Sequence, residues 1–147
     1  MVEGVIINAD DYAMDGGVDA AILKLSAQGV VTSTSAMVLS HAWPEAAAPL
    51  KDAPLSRGLH LDFTSPFTGD IFPRQTIAGL TMRTHSGVLD RKLLRKEIDR
   101  QLSQFETHMK ALPDFVDGHQ HCHLLPCIRE ALLDALADRY GADARRI

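Results

Sequence analysis

Short apolar runs alternate along the chain with longer segments whose apolar residues recur at helical spacing. Four runs, several of them rich in β-branched residues, predict strands: 2–9, 30–39, 57–62 and 113–116. Four amphipathic segments predict helices: 18–25, 42–48, 90–112 and 128–140. The first run is continuously apolar, as in a parallel strand that is covered on both faces. This alternation predicts an α/β fold built from parallel β/α units.

Capping and helix-breaking residues mark the ends of the predicted helices. Asp15 and Asp90 precede amphipathic segments and are predicted N-caps. Pro44 falls in the first turn of its helix, where no backbone N–H is needed. Gly29 and Gly141 follow helical segments and predict where those helices end. These residues separate the predicted helices from the segments around them.

Two segments contain neither a clear strand nor a long helix. Residues 63–89 are rich in Pro, Gly, Ser and Thr, and they predict a long irregular loop that acts as a lid or binding loop. Residues 142–147 predict the approach to a fifth strand. A closed barrel of eight β/α units needs about 250 residues, whereas these 147 residues supply four units. We therefore expect a single domain over residues 1–147. It is either a small open parallel sheet or, as we favour, the N-terminal portion of a larger β/α domain.

An incomplete barrel leaves surfaces that need a cover. A sheet that stops after four strands has an unpaired edge, and the helix over residues 90–112 would then expose an apolar stripe. The stripe consists of Leu93, Leu94, Ile98, Leu102 and Phe105. Either the chain was cut from a longer one that covered these surfaces, or a second copy packs against them. We expect the second case, a homo-oligomer.

Composition narrows the class of protein. Hydrophobic residues make up 46% of the chain and charged residues 23%, as in a globular domain. The formal net charge of -4 argues against a nucleic-acid partner. No apolar run is long enough for a membrane span, and the N-terminus lacks the features of a signal peptide. Cys122 and Cys127 cannot form a disulfide framework and indicate a reducing compartment, so we expect a cytoplasmic location.

One stretch carries most of the candidate chemistry. Directly after the fourth predicted strand, the carboxylate of Asp117 is followed by the imidazoles of His119, His121 and His123. Such a cluster is typical of a metal site or an acid/base site. If the chain stays extended, alternate side chains share one face and all three imidazoles converge. If the backbone turns at Gly118, only one or two of them converge.

Two other predicted strands also end in polar residues. Asp10 and Asp11 follow the first strand, and His60 lies in the C-terminal half of the third. The carboxyl ends of parallel strands share one edge of a sheet, so these side chains can meet the cluster after the fourth strand. A carboxylate with two imidazoles leaves positions open for water and substrate, as catalytic metal sites do. A second carboxylate beside such a site can take a proton from water.

Four motifs resemble those of the YdjC-like carbohydrate deacetylases, a family that includes chito-oligosaccharide deacetylases and a branch associated with hopanoid biosynthesis. The matching stretches occur in the family's order: Asn8–Tyr12, Gly29–Ser35, Gly58–Leu61 and Asp117–His123. The resemblance spans nearly the whole chain. Family members are longer, complete a distorted β/α barrel, and carry a late His motif that this sequence lacks. The resemblance therefore implies that residues 1–147 form the parallel β/α units of an incomplete, distorted β/α barrel.

The resemblance implies roles for four residues. Asp11, His60 and His119 match the family's metal ligands, and Asp10 matches its general base. The implied cofactor is a divalent metal ion. An Asp/His/His set favours zinc by ligand type, whereas the family resemblance favours magnesium equally.

Together these features predict a metal-dependent hydrolase of the carbohydrate deacetylase type, which removes N-acetyl groups from amino sugars or oligosaccharides. Water held by the metal and deprotonated by Asp10 would attack the amide carbonyl. His121, His123 or the family's late histidine would protonate the leaving amine, and Asp117 would orient a ligand imidazole. The alternatives are a metal-dependent hydrolase of another ester or phosphoester, and a non-catalytic fragment that binds metal.

Overall fold

A parallel sheet of four strands, in the order β1-β2-β3-β4, forms the centre of the computed structural model, which describes residues 4–147. The strands are β1 (Asn8–Tyr12), β2 (Ser33–Ala36), β3 (Ser56–Leu61) and β4 (Phe115–Gly118). The α-helices are α1 (Gly16–Ala27), α2 (Trp43–Lys51), α3 (Ile77–Ser86), α4 (Arg91–Met109) and α5 (Ile128–Tyr140). Two 3-10 segments follow β4 and α5: His119–Leu124 and Gly141–Arg146.

Each strand pairs with its neighbour in the sequence, so the sheet winds in one direction. All three pairings, β1 with β2, β2 with β3 and β3 with β4, are parallel. A doubly wound sheet would reverse its strand order, whereas successive units of a β/α barrel keep it. The predicted α/β fold of parallel β/α units is therefore confirmed. Within residues 4–147 the sheet does not close, and β1 and β4 are its two edges.

The helices and the core lie on one face of the sheet. Leu59 and Leu61 of β3 belong to the core, while alternation turns Gly58 and His60 to the other face. The ring of Phe115 occupies the space that a Cβ at Gly58 would take, so it lies on this second face. A cavity of about 680 Å³ opens beside Phe115. Ser33 and Asp117 also line this cavity, which therefore borders the strands on either side of β3.

The apolar stripe of α4 faces this core. Four of its members are at most 1% exposed: Leu94, Ile98, Leu102 and Phe105. The expectation that the stripe would be exposed is wrong, because the sheet and the neighbouring helices already cover it; Leu93 alone among its five members is 38% exposed. The homo-oligomer itself stays a prediction. None of the helices in residues 4–147 combines the length and hydrophobicity that crossing a membrane requires.

The first strand differs from its prediction. Residues 2 and 3 lie outside the described residues, and β1 begins only at Asn8. Val5 and Ile6 are 70% and 81% exposed instead of buried. Continuous hydrophobicity predicts a strand with neighbours and cover on both sides. β1 pairs with β2 alone, so the apolar run before it has no such cover in the described part of the chain.

Two predicted N-caps are confirmed. The carboxylate of Asp15 accepts from Gly17 N–H at 2.8 Å, at the start of α1. The carboxylate of Asp90 accepts from Lys92 N–H at 2.8 Å, at the start of α4. Both side chains therefore satisfy backbone donors that have no partner inside the helix.

Two segments adopt helical turns that the pattern did not predict. Within the expected loop, α3 begins after Thr76, whose hydroxyl accepts from Gly79 N–H at 3.1 Å, and it ends at Gly87 with a φ of 69°. The prediction of an irregular loop over residues 63–89 is therefore wrong for the second half of that segment. The last residues form a 3-10 segment instead of approaching a fifth strand. Local capping by Thr76 and Gly87 was a usable signal that the mixed composition concealed.

A partly exposed ion pair between Arg139 and Glu106 joins α5 to α4. Arg139 Nε donates to Glu106 Oε1 at 2.8 Å, and Arg139 Nη2 donates to Glu106 Oε2 at 2.6 Å. The hydroxyl of Tyr140 donates to the same Oε1 at 2.6 Å. The hydrogen bonds from Arg139 hold the pKa of Glu106 below its ordinary value. Ionised Glu106 therefore stabilises the folded state.

Replacing Glu106 by Gln is expected to lower the free energy of unfolding by about 1 kcal/mol at neutral pH. The contribution of Glu106 is complete above the pKa of the unfolded chain's glutamate, near 4.5. It is lost as the pH falls through the lower pKa of the folded state, so the variant and the wild type should become equally stable in acid.

Glu130→Gln is the matched control, because the Arg91–Glu130 pair joins the same two helices but is far more exposed. Urea denaturation at neutral and acidic pH measures both variants. Equal losses of stability in the two variants would contradict the prediction.

Candidate metal centre

Three side chains from separate strand ends meet at the carboxyl edge of the sheet. Asp11 lies in β1, His60 in β3, and His119 directly after β4. Oδ1 of Asp11 lies 3.3 Å from Nε2 of His60 and 2.8 Å from Nδ1 of His119. The rings of His60 and His119 meet edge to face, with centroids 5.6 Å apart. The expected meeting of these strand ends is therefore observed.

A break in the regular pairing of β1 turns Asp11 toward the histidines. The register with β2 shifts between Ala9 and Tyr12, and Asp11 and Ala13 adopt left-handed φ angles of 64° and 73°. A carboxylate oxygen of the buried Asp19 accepts from Ala13 N–H at 2.7 Å. Left-handed backbone is unfavourable for residues with a Cβ, so surrounding contacts must enforce it. Asp19 supplies one of those contacts.

His60 is buried between two carboxylates. Its Nδ1 lies 2.7 Å from Oδ1 of Asp117, and its Nε2 faces Asp11. An ionised carboxylate only accepts, and Asp117 lies nearer to the ring, at 2.7 Å, than Asp11 does, at 3.3 Å. We therefore assign the proton of the neutral ring to Nδ1 and the lone pair to Nε2. Burial lowers the pKa of His60, but the hydrogen bond with Asp117 and the nearby carboxylate charges outweigh it and raise the pKa above its ordinary value. Asp117 makes the contact expected of a carboxylate that orients a ligand imidazole.

The chain turns directly after β4, so the imidazoles of the cluster do not share one face. After Gly118 the backbone enters a 3-10 segment in which Gln120 and His121 have left-handed φ angles of 53° and 58°. A Cβ at Gly118 would lie 2.9 Å from the backbone N of His123, so the turn requires glycine there. Of the two alternatives for this stretch, the turn at Gly118 is the one observed. In the part of the chain that the structure describes, His119 is the member of the cluster that reaches Asp11.

His121 and His123 lie beside this group. Their rings meet edge to face, with centroids 6.4 Å apart. His121 is exposed, whereas His123 is half-buried. Burial lowers the pKa of His123, and the charge of Asp117 partly offsets this effect. The charge of Asp117 therefore acts on the pKa of His123.

Asp10 contacts the hydroxyl that lies beside Nδ1 of His60, whereas Asp11 faces Nε2. Oδ1 of Asp10 accepts from Asn8 Nδ2 at 2.6 Å and lies 3.4 Å from the hydroxyl of Ser35. That hydroxyl is 3.1 Å from Nδ1 of His60. Asp10 is exposed and belongs to a second group of donor atoms, with His60 and Asp117, that lie within 4.8 Å of one another. The two adjacent aspartates thus have separate surroundings.

Sequence reasoning missed Ser35 and Asp19. Ser35 contacts three side chains of the site, and Asp19 holds the turn that follows Asp11. The motif Gly29–Ser35 pointed to the segment but assigned no role to any residue in it. In the sequence pattern, Asp19 is simply a polar position of an amphipathic helix. Neither contact has a local signal, because each joins residues from different elements.

The donor set fits a divalent metal ion. Donor atoms of Asp11, His60 and His119 all lie within 4.8 Å of one another. One carboxylate and two imidazoles are hard and intermediate ligands that zinc and similar divalent ions accept. The remaining nitrogen of His60 is hydrogen-bonded to Asp117, as is usual for imidazoles that bind metals. These three residues can therefore hold a divalent ion and leave room for water or substrate.

The fold and the site define an α/β protein with a parallel four-stranded sheet and a candidate metal centre at the carboxyl edge of its strands. Residues 4–147 match the family described as YdjC-like protein, and the chain belongs to this family. The resemblance of the four sequence motifs is thereby confirmed.

Two curated relatives carry the same name. The chain is 32% identical over 130 residues to a chitooligosaccharide deacetylase of Enterobacter sp., which covers 84% of this chain and 52% of the relative. It is 30% identical over 148 aligned positions to a chitooligosaccharide deacetylase of Serratia marcescens, which covers 96% of this chain and 58% of the relative. The chain thus spans about half the length of these relatives.

A solved structure supports the same fold. A protein of Enterococcus faecalis that is named for cellobiose-phosphate cleavage superposes with a TM-score of 0.73 at 25% sequence identity. The match covers 92% of this chain and 55% of that protein. The four β/α units are therefore similar to about half of that larger structure.

His119→Ala is expected to weaken zinc binding by more than about 100-fold, because it removes one of the three donors. His121→Ala is the matched control: it changes an exposed histidine of the same turn and should leave zinc affinity intact. Calorimetric titration with zinc chloride measures both affinities, and circular dichroism checks that both variants fold. Unchanged affinity in His119→Ala would remove that residue from the site.

Proposed function

We propose that this chain functions as a metal-dependent carbohydrate deacetylase that removes an N-acetyl group from an amino sugar or chito-oligosaccharide. The observation that carries the proposal is the convergence of Asp11, His60 and His119 at the carboxyl edge of the sheet. The names of the two curated relatives support the choice of substrate.

Asp11, His60 and His119 hold the metal ion. Two nitrogen donors out of three favour zinc, and magnesium is the alternative. When bound, a divalent ion polarises the substrate carbonyl and lowers the pKa of a water molecule. Asp117 keeps Nε2 of His60 free for this purpose, because it accepts the hydrogen bond from Nδ1.

Asp10 is the proposed general base. It is exposed beside the site, and its hydrogen bond from Asn8 leaves further lone pairs to accept the proton of the attacking water. Addition of this water to the amide carbon is followed by cleavage of the C–N bond, which releases acetate and the free amine.

His123 is the proposed general acid for the leaving amine. Burial lowers the pKa of its ring, so a protonated His123 gives up its proton readily. The exposed His121 is the alternative donor. It lies next to His123 but has no comparable burial.

A second candidate function is hydrolysis of a phosphorylated sugar. The structural relative from Enterococcus faecalis is named for cellobiose-phosphate cleavage, and it shares the fold. The same three donors would serve a phosphoester. Against this candidate, the sequence beside the motifs contains neither a Gly-rich phosphate-binding loop nor a cluster of Lys and Arg. The third possibility is metal binding without catalysis.

Asp10→Asn and Asp11→Asn should separate the two proposed roles. Asp11→Asn is expected to lose zinc affinity and turnover together, because it removes a ligand. Asp10→Asn should retain zinc affinity and lose about 100-fold or more in turnover, because only proton transfer is affected. Equal loss of zinc affinity in both variants would contradict these assignments.

The assay follows acetate release from N-acetylated chito-oligosaccharides and phosphate release from cellobiose phosphate, each with zinc or magnesium. Acetate release supports the deacetylase, and phosphate release alone supports the second candidate. Zinc binding with neither product would identify a non-catalytic metal-binding protein.

A further inference from the structure

Ser35 lies at the centre of a hydrogen-bond cluster on the Nδ1 side of His60. It belongs to β2, between β1 and β3, and its side chain is fully buried. Its Oγ lies 2.9 Å from Oδ2 of Asp117, 3.1 Å from Nδ1 of His60 and 3.4 Å from Oδ1 of Asp10. One hydroxyl therefore contacts side chains from each of the other three strands.

The donor and acceptor capacity of this hydroxyl determines how the cluster is arranged. A serine hydroxyl donates one proton and accepts through two lone pairs, whereas an ionised carboxylate only accepts. Asp117 is nearer than Asp10, so the proton of Ser35 goes to Oδ2 of Asp117. The lone pairs of Ser35 then face the Nδ1–H of His60, which also points to Oδ1 of Asp117 at 2.7 Å. Ser35, His60 and Asp117 thus close a ring of hydrogen bonds.

We propose that Ser35 is a positioning residue of the metal centre. It fixes the carboxylate of Asp117 and, through Asp117, holds the imidazole of His60 with Nε2 free toward Asp11. Ser35 faces Nδ1 and not Nε2, so it acts on the proposed ligand without occupying a place among the donor atoms. The proposal rests on the proposed function, because metal binding is the property that this arrangement serves.

A neighbouring serine of β2, Ser33, has a buried hydroxyl whose side-chain partner is not a candidate ligand. Ser33 lies two residues earlier on the same face of β2 and is also buried. Its Oγ donates to Oδ1 of Asn8 at 2.7 Å. Ser33 is therefore buried and hydrogen-bonded, as Ser35 is. Its partner, however, is a residue outside both groups of candidate donor atoms. Ser33→Ala is the matched control for Ser35→Ala.

Calorimetric titration with zinc chloride tests the proposal. Ser35→Ala is expected to lower zinc affinity about tenfold, the usual effect of losing a group that orients a ligand. Ser35→Thr keeps the hydroxyl and should recover most of that loss, and Ser33→Ala should bind as the wild type does. Equal affinities in Ser35→Ala and Ser33→Ala would overturn the proposal.

A double-mutant cycle shows whether Ser35 acts through Asp117. In the Asp117→Ala background, a further Ser35→Ala change should cost little additional zinc affinity, because the carboxylate that Ser35 positions is already gone. Fully additive losses would mean that Ser35 acts independently and would overturn the positioning role.

Nitrogen NMR of the metal-free protein at alkaline pH separates this proposal from the proposed function. The wild type should show His60 with its proton on Nδ1, and Ser35→Ala should show a mixture of both tautomers. If the wild type binds zinc, the affinities decide the role of Ser35. If the wild type binds no zinc, the proposed function fails, and the tautomer of His60 then tests the role of Ser35. An unchanged His60 tautomer in Ser35→Ala would overturn the positioning role.

Discussion

The site depends on the spacing of parallel strands at one edge of the sheet. β1 and β3 are separated by β2, so their backbones lie about 10 Å apart. Asp11 and His60 can approach to 3.3 Å only because their side chains reach across β2. On β2 itself, the buried hydroxyl of Ser35 contacts Nδ1 of His60, the ring nitrogen that does not face Asp11.

The electrostatics of the site show an excess of negative charge around one imidazole. Asp10, Asp11 and Asp117 all raise the pKa of His60 through their charges, against the lowering effect of burial. Carboxylates gathered in this way repel one another unless a proton or a cation lies among them. A divalent ion held by Asp11, His60 and His119 would relieve the same excess of charge. This arrangement of carboxylates therefore favours a bound cation.

The end of β3 is also held from the helical side. Gln101 of α4 donates to the backbone carbonyl of Asp62 at 2.7 Å and accepts from its N–H at 2.9 Å, two residues after His60. Its amide also donates to the buried Glu97 at 3.1 Å. Burial raises the pKa of Glu97, and the charge of Arg100 partly offsets this effect. The backbone beside His60 is thus fixed by side chains outside both groups of candidate donor atoms.

The sequence by itself determined the class of fold and the neighbourhood of the site. Alternating apolar runs and amphipathic segments predicted parallel β/α units. Polar residues at strand ends predicted that the aspartates after β1, His60 and the cluster after β4 could meet at one edge, and the family resemblance singled out Asp11, His60 and His119 among them. Such features depend on residues close together in the chain. Only the tertiary structure decided that a turn directly after Gly118 would leave His121 outside the group of candidate ligands. It alone showed that Ser35 contacts Asp117, 82 positions away in the sequence, because the pattern along one strand does not show which side chain will face it from another.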